Sequence, residues 1–270
     1  MVKSLWEVTM ERGNIDKIAQ SPEDRLLLAK LWDKIHAGIV RNIPANTPFL
    51  SPREQVLAQY LFGDSPELFW FGGYASAERK MLVYLPEYLS EEYLYDDQAP
   101  LCCLRVSFYE NIELTHRDFL GALMGAGIAR ETVGDICVDK GCCDFLVTAE
   151  IAPYILQNLD QAGRAKLQIR QIPLSQMQIP EASFQVLKDT VASVRLDAVI
   201  ATGFRMGRTQ AAQAISAGKV SIDGLICEKP DKIIPEGAKI SLRGLGKIQL
   251  AQIGKQTKKG RISVVIHRYQ

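Results

Sequence analysis

The chain has 270 residues, 47% apolar and 23% charged, ordinary proportions for a globular protein of two or three domains. No apolar run approaches the roughly 20 residues that cross a bilayer, so no membrane span is expected, and the location is read as cytoplasmic or an equivalent compartment such as a plastid stroma. The net charge of +1 hides an asymmetry: residues 193–270 hold 14 Lys and Arg against 5 Asp and Glu, while the other 192 residues hold 18 against 26. An acidic body joined to a basic tail predicts a polyanionic partner for the tail.

The opening MVKSLWEVTMERGN lacks the apolar stretch of a secretory signal and is too acidic for a typical transit peptide. Two helices then begin with the same signal, Ser21-Pro22-Glu23-Asp24 and Ser51-Pro52-Arg53-Glu54. Each has a capping serine, a proline at the first helical position and an acid at the third. Leu68–Phe71 and Met81–Leu85 flank Gly72-Gly73 and read as two strands. The acidic segment Ser90–Pro100 reads as a linker, so residues 1–98 are expected to form an N-terminal α/β region.

From residue 101 the order changes. Leu101–Tyr109, Asp135–Val138, Asp144–Thr148 and Ala165–Ile172 read as strands, and Thr115–Ala126 and Ala149–Leu159 as helices. That is β-α-β-β-α-β, predicting a ferredoxin-like domain over 101–172, with four strands and two helices on one face. RNA-binding modules of this layout stack bases on sheet-surface aromatics, a signature missing here apart from Phe108, Tyr109 and Phe145. Pro173–Ala182 reads as a second linker, and Phe184–Ser193 as a helical or extended entry to a domain over 193–270.

In that last domain, Leu196, Val199 and Ile200 recur at helical spacing. Gly203 ends the helix, Phe204–Gly207 turns, and a second helix runs from Arg208 to Ala217 with Gly218 as its stop. Lys219–Ile222, Leu225–Lys229, Ala238–Leu242, Lys247–Ile253 and Arg261–Arg268 read as strands, the first two joined by an Asp223-Gly224 hairpin turn.

The pattern R-L-D-x-x-apolar followed by R-T-x-A-x-x-x-I-x-x-G-x-V-x-I-D-G closely resembles the RNA-binding fold named after ribosomal protein S4, sometimes called αL-like. Where that fold usually carries Ser-Arg-Ser and Val-Asn-Gly, this chain has Gly207-Arg208-Thr209 and Ile222-Asp223-Gly224. HRDFLGALMGAGIARETVGDICVD, GGYASAERKMLVYLP and KKGRISVVIHRY extend the resemblance to the YlmH family along nearly the whole chain. The expected class is α+β, with an N-terminal helix-and-strand region, a ferredoxin-like middle and a C-terminal S4-type domain. The resemblance implies a ribosome-associated RNA-binding protein acting on ribosomal RNA or peptidyl-tRNA of the large subunit, in translation quality control. Some members are linked to cell division, and photosynthetic members are labelled photosystem II S4-domain proteins.

Cations placed on a rigid surface bind structured RNA, and the N–H groups opening a helix favour phosphate. Arg205, Arg208, Thr209 and Lys219 are therefore the first expected contacts, and Arg195, Gln213, Lys229, Lys232, Arg243 and Lys247 the second rank. Arg195-Leu196-Asp197 also occurs in pseudouridine synthases, where the acid is a nucleophile. Here Asp197 opens a helix, where the dipole favours an acid, so no catalytic residue is expected. Six cysteines at 102, 103, 137, 142, 143 and 227 form no C-x-x-C pair and read as buried thiols, so neither metal nor cofactor is expected. His116 and Asp118 read as part of a helix start, and Glu78-Arg79-Lys80 as a solvated strand start or a functional patch. A monomer is expected. An RNA-modifying enzyme of pseudouridine-synthase type and a protein adaptor tethered to RNA remain as alternatives.

Overall fold

The computed structural model describes residues 12–180, 184–257 and 260–269. The leader reading of the first eleven residues, the end of the second linker and Lys258-Lys259 lie outside them. The chain divides into two units, 1–180 and 181–270.

The first unit opens with a short α1 (Ile15–Ile18) and the long α2 (Pro22–Arg41); α3 (Pro52–Phe62) follows a two-residue strand β1 (Ala45–Asn46). Ser21 and Ser51 are extended, and their hydroxyls accept from the Asp24 and Glu54 amides, as the repeated start signal predicts. One feature of the pair is not local. Arg53 donates twice to the buried Asp24 carboxylate, both at 2.7 Å, so the second helix start is bolted to the first. That guanidinium holds Asp24 below the ordinary aspartate range, against the opposing effect of burial.

Strands β2 (Leu68–Phe71) and β3 (Met81–Tyr84) complete a three-stranded sheet of order β1-β3-β2. β3 is buried at every position because it is central and covered on both sides. Leu82 and Tyr84 meet Leu28, Leu31 and Ile35 of α2 and Leu57 and Leu61 of α3; Met81 and Val83 turn to a second core.

That second core is shared with the next sheet. β4 (Leu101–Ser107), α4 (His116–Gly125), β5 (Val133–Asp139), β6 (Cys142–Thr148), α5 (Ala152–Asn158), the hairpin β7 (Gln161–Ala162) and β8 (Ala165–Lys166), and β9 (Gln168–Ile172) give the antiparallel order β5-β6-β4-β9. This is the βαββαβ arrangement. Alternation sends Leu104, Val106, Phe145 and Val147 to the face covered by α4 and α5, through Phe119, Leu123, Ala152 and Ile155. Leu101, Cys103, Leu146 and Ile172 face the other way and pack against Phe49, Phe71, Met81 and Val83. Close approach there needs glycine: a Cβ on Gly73 would lie 2.9 Å from Leu146, and one on Gly134 2.7 Å from Phe49.

The first expected linker and the described start of the second are pinned at particular residues, while 178–180 are exposed. Residues 91–95 form a 3-10 turn that sinks Leu94 into the shared core, because Leu94 is the apolar position on an otherwise acidic segment. Residues 174–176 form another, held by charge. Arg105 and Asp144 stand directly opposite on β4 and β6 and pair through two bonds of 2.7 and 2.6 Å, with the aspartate side chain wholly buried. Arg105 also donates to the Gln176 carbonyl, and the Gln178 amide to Asp144.

The second unit starts with a strand where a helix or extended entry was expected, β10 (Phe184–Val191), paired along its length with the last strand. α6 (Leu196–Gly203) and α7 (Arg208–Ser216) follow, then β11 (Val220–Ile222), β12 (Leu225–Ile226), β13 (Lys239–Leu242), β14 (Gly246–Gln256) and β15 (Ile262–Tyr269). The six-stranded order is β10-β15-β14-β13-β11-β12. Leu196, Val199, Ile200, Ala211 and Ile215 lie on the sheet's inner face against Ile240, Ile248, Leu250, Val264 and Ile266. Gly203 permits that contact, since a Cβ there would fall 2.5 Å from Ile248. Asp223 and Gly224, at φ 48° and 88°, make the predicted two-residue hairpin turn.

Removing the Asp144 carboxylate leaves the Arg105 guanidinium without its partner in a nearly closed site. Asp144→Ala should lower the stability of the first unit by about 3–5 kcal/mol. Urea titration followed by the fluorescence of Trp32 and Trp70 reads this, and an unshifted midpoint would contradict it.

Candidate nucleic-acid interface

Helices α6 and α7 are joined by Phe204–Gly207, and the turn is built so that its apolar residues go inward. Phe204 is buried, while Arg205 is exposed and adopts a left-handed φ of 53°. Its amide bonds to the Thr202 carbonyl and the Met206 amide to Ala201, closing α6 as a C-terminal glycine ordinarily would. An arginine in this backbone region costs about 1 kcal/mol relative to glycine. The side chain is exposed and reaches the rim of a recess beside the turn.

Gly207 begins α7 without a capping hydroxyl; Gln210 compensates, its side-chain oxygen accepting from the Gly207 amide at 3.3 Å. Arg208 and Thr209 are exposed on the first turn of α7, where helix amides and dipole favour an anion. Gln213 lies one turn beyond Thr209 on the same side and is exposed too.

The acid of the Arg-Leu-Asp triplet has a different part in this geometry. Asp197 is 6% exposed, and its carboxylate accepts from Arg195 Nε and Nη2 at 3.2 Å and from Arg208 Nη2 at 2.8 Å. It ties the first turn of α6 to the first turn of α7. Burial pushes its pKa up, but the hydrogen bonds and charges of the two arginines outweigh that and hold it below the ordinary aspartate value.

A recess of about 370 Å³ opens beside the turn, rimmed by Arg205, Arg208 and Arg261 and floored by Ala198, Thr202 and Met206. Asp189 is the one carboxylate lining it. Sequence reading did not single out Arg261. It arrives here because β10 and β15 pair Val191 with Ile262, and its guanidinium donates to the Thr190 hydroxyl at 2.8 Å and to the Thr190 carbonyl. Its sequence signal was the KKGR run, whose lysines lie outside the described residues.

The remaining expected contacts fall into separate places. Lys219 stands at the far end of α7 beside Arg243, whose amide bonds to the Lys219 carbonyl. Lys229 and Lys232 belong to the loop whose carbonyls receive the first amides of α6. Lys247 is on the sheet face opposite the helices, with its amine 5.9 Å from the Tyr269 ring centre. The turn, the far end of α7 and the loop therefore belong to the helix side of the unit, and Lys247 does not.

In the first unit the aromatics considered for base stacking are not on an open sheet face. Phe145 is fully buried beneath the helices, Phe108 packs on Phe119 at 5.7 Å, and Tyr109 is exposed beyond the end of β4. Arg79 is drawn inward: it donates to the carbonyls of Val133, Phe49 and Arg130, while Asp135 accepts from the Glu78 and Arg79 amides and the Tyr74 hydroxyl. The strand-start patch is thus partly structural. Burial pushes the Cys102 and Cys137 thiols up to about 11, so they stay protonated apolar groups near neutral pH. Among the described residues no group of three or more His, Cys, Asp or Glu is placed to hold a metal ion, and no helix is long and apolar enough to cross a membrane.

Residues 104–176 match the family described as a putative RNA-binding domain in YlmH, and residues 194–240 match the S4 domain. A curated relative, the ribosome-associated protein quality control protein P2 of Bacillus subtilis strain 168, is 35% identical over 224 residues, which is 82% of this chain and 86% of that protein. A solved structure titled cell division protein ylmH from Streptococcus pneumoniae aligns at a TM-score of 0.48 and 25% identity, over 60% of this chain and 98% of that one.

The Asp197 clamp has a pH signature. A carboxylate whose folded pKa is depressed contributes stability above its unfolded value, about 3.9, and loses it as pH falls through the folded value. Asp197→Asn should therefore speed amide exchange across residues 196–216 at pH 7, by roughly the tenfold that about 1–2 kcal/mol of half-exposed pairing allows. The difference from the parent should close below pH 4. A gap that persists at low pH would show that the charge is not its source.

Proposed function

This chain belongs to the YlmH family of S4-domain proteins, and on that premise we propose that it binds RNA at the ribosome through the α6–α7 turn, working by binding and not by catalysis. The observation that carries the reading is the exposed, left-handed Arg205 beside Arg208, Arg261 and the opening amides of α7, within or next to the matched S4 residues. Three guanidiniums around one recess suit a phosphate backbone, which supplies most of the affinity in such contacts. Lys219 and Arg243 would extend the track along α7, and Lys229 and Lys232 along the loop beside α6.

The ribosome as partner is supported by the name of the Bacillus subtilis relative. Its finer form is ribosomal RNA or peptidyl-tRNA on the large subunit, in translation quality control, with the protein acting in the cytoplasm as a monomer. Residues 193–270 would supply the RNA contact, and residues 1–98 and 101–172 the body that carries it. Against the pseudouridine-synthase alternative stands Asp197, which is buried and engaged by two arginines at a helix start.

The test is binding of the full chain to purified large ribosomal subunits and to a structured RNA hairpin across a salt series. Arg205→Glu combined with Arg208→Gln should weaken binding about tenfold or more and reduce the slope of log K against log salt by about 1 for each phosphate no longer engaged. Glutamine at 208 avoids placing a second carboxylate beside Asp197. Unchanged affinity and slope would overturn the proposal.

A further inference from the structure

The six-stranded sheet of the second unit has two faces, and the helices cover only one. On the other face, at the open edge, β10 and β15 bring three rings together. Phe184 lies flat on His267, ring centres 4.0 Å apart and planes 13° from parallel, and meets Tyr269 edge-on at 6.2 Å. Register explains the cluster: Phe184 opposes Tyr269 and Val186 opposes His267, alternate positions on the same side of the sheet. The Tyr269 hydroxyl is anchored on Gln249 at 3.2 Å, and the Lys247 amine stands 5.9 Å from the same ring. Phe184 is 39% exposed and Val186 48%, on an edge strand.

Lysines share this face with the rings. Lys188, Lys239 and Lys247 occupy outward positions on the same face, two strand positions from Val186, opposite Gln249 and opposite Ser241 respectively. The strands of this sheet contain a single carboxylate, Asp189, and it belongs to the inner side with Val191. Arg268, the residue between His267 and Tyr269, also points inward and lies over Phe204 at 5.6 Å.

We propose that this outer face is a stacking site for unpaired RNA nucleotides, separate from the helical turn. A cross-strand aromatic ladder alone would account for the ring contacts. It does not account for an exposed ring on a face where Lys247 stands beside Tyr269, Lys188 and Lys239 hold outward positions, and none of the described strand residues is acidic. Bases have π-faces and phosphates, and that combination is what single-stranded nucleic acid presents to aromatic platforms on antiparallel sheets. A base laid on the open face of Phe184 would continue the Phe184–His267 stack, with its flanking phosphates toward the lysines. Phe184, Lys247, His267 and Tyr269 all lie outside the matched S4 residues, so the site belongs to the strands added around that core. The inference rests on the reading that this chain binds RNA, but it assigns a different surface and a different RNA conformation.

The test uses the full chain with two fluorescent probes, a single-stranded uridine–adenine decamer and a blunt duplex, and the variants Phe184→Leu, Phe184→Trp and Arg205→Glu. Phe184→Leu keeps an apolar side chain and should weaken the decamer about 5- to 50-fold, the range that loss of one base–aromatic stack allows, while leaving the duplex unchanged. Phe184→Trp should preserve decamer binding. A 4-thiouridine decamer should crosslink to peptides containing Phe184 or residues 262–269. If Phe184→Leu leaves the decamer affinity unchanged, the rings are only a structural ladder or a protein-docking surface, and the inference fails. That outcome is distinct from failure of the helical-turn reading, which is an Arg205→Glu variant that binds the duplex as tightly as the parent.

Discussion

A carboxylate taken out of water costs several kcal/mol unless a cation goes with it. This protein buries Asp24, Asp144 and Asp197, and each is held by arginine from another element or turn. Asp24 joins two helix starts through Arg53, Asp144 joins two strands and the following segment through Arg105, and Asp197 joins α6 to α7 through Arg208. Such pairs add little net stability over apolar contacts, but they penalise every arrangement in which the partners are apart. They act as registration points. The third lies at the candidate interface, because it links the first turns of α6 and α7 on either side of the turn that carries Arg205.

The two sheets illustrate opposite uses of the same architecture. In the first unit the face that a βαββαβ module can offer to RNA is occupied by Phe49, Phe71, Met81 and Val83, with glycines admitting the close contact. In the second unit one face takes the helices and the other stays open, with aromatic rings and lysines on it. The matched putative RNA-binding family covers the first sheet, while the excess of Lys and Arg over Asp and Glu lies in residues 193–270.

Much of the fold was legible in local signals. The capping serines with proline behind them, the βαββαβ order, the Asp223-Gly224 turn and the Gly218 stop follow from conformations that a few neighbouring residues prefer, whereas α6 is closed by the left-handed Arg205 and Gly203 serves the contact with Ile248. The segments that read as linkers are pinned at a few residues for the complementary reason. Acidic composition and the closing Pro100 describe most of 90–100, but one leucine at 94 finds a pocket in a core assembled from distant strands. Phe184–Ser193 suits helix or extended chain equally by its own residues, because only its partner, β15, makes most of it a strand.

For the candidate interface, the sequence by itself determined the chemistry: a basic C-terminal part, an S4-like helix pair, and arginines beside the turn. Tertiary structure decided which of those residues act together. Arg208 is partly spent on Asp197, Arg261 joins the recess through strand pairing, and Lys247 is sent to the opposite face beside Tyr269. The physical reason is that periodicity within an element is local, whereas the register between strands and the contact between helices depend on residues far apart in the chain. A side chain's type is written at its own position; its neighbours are not.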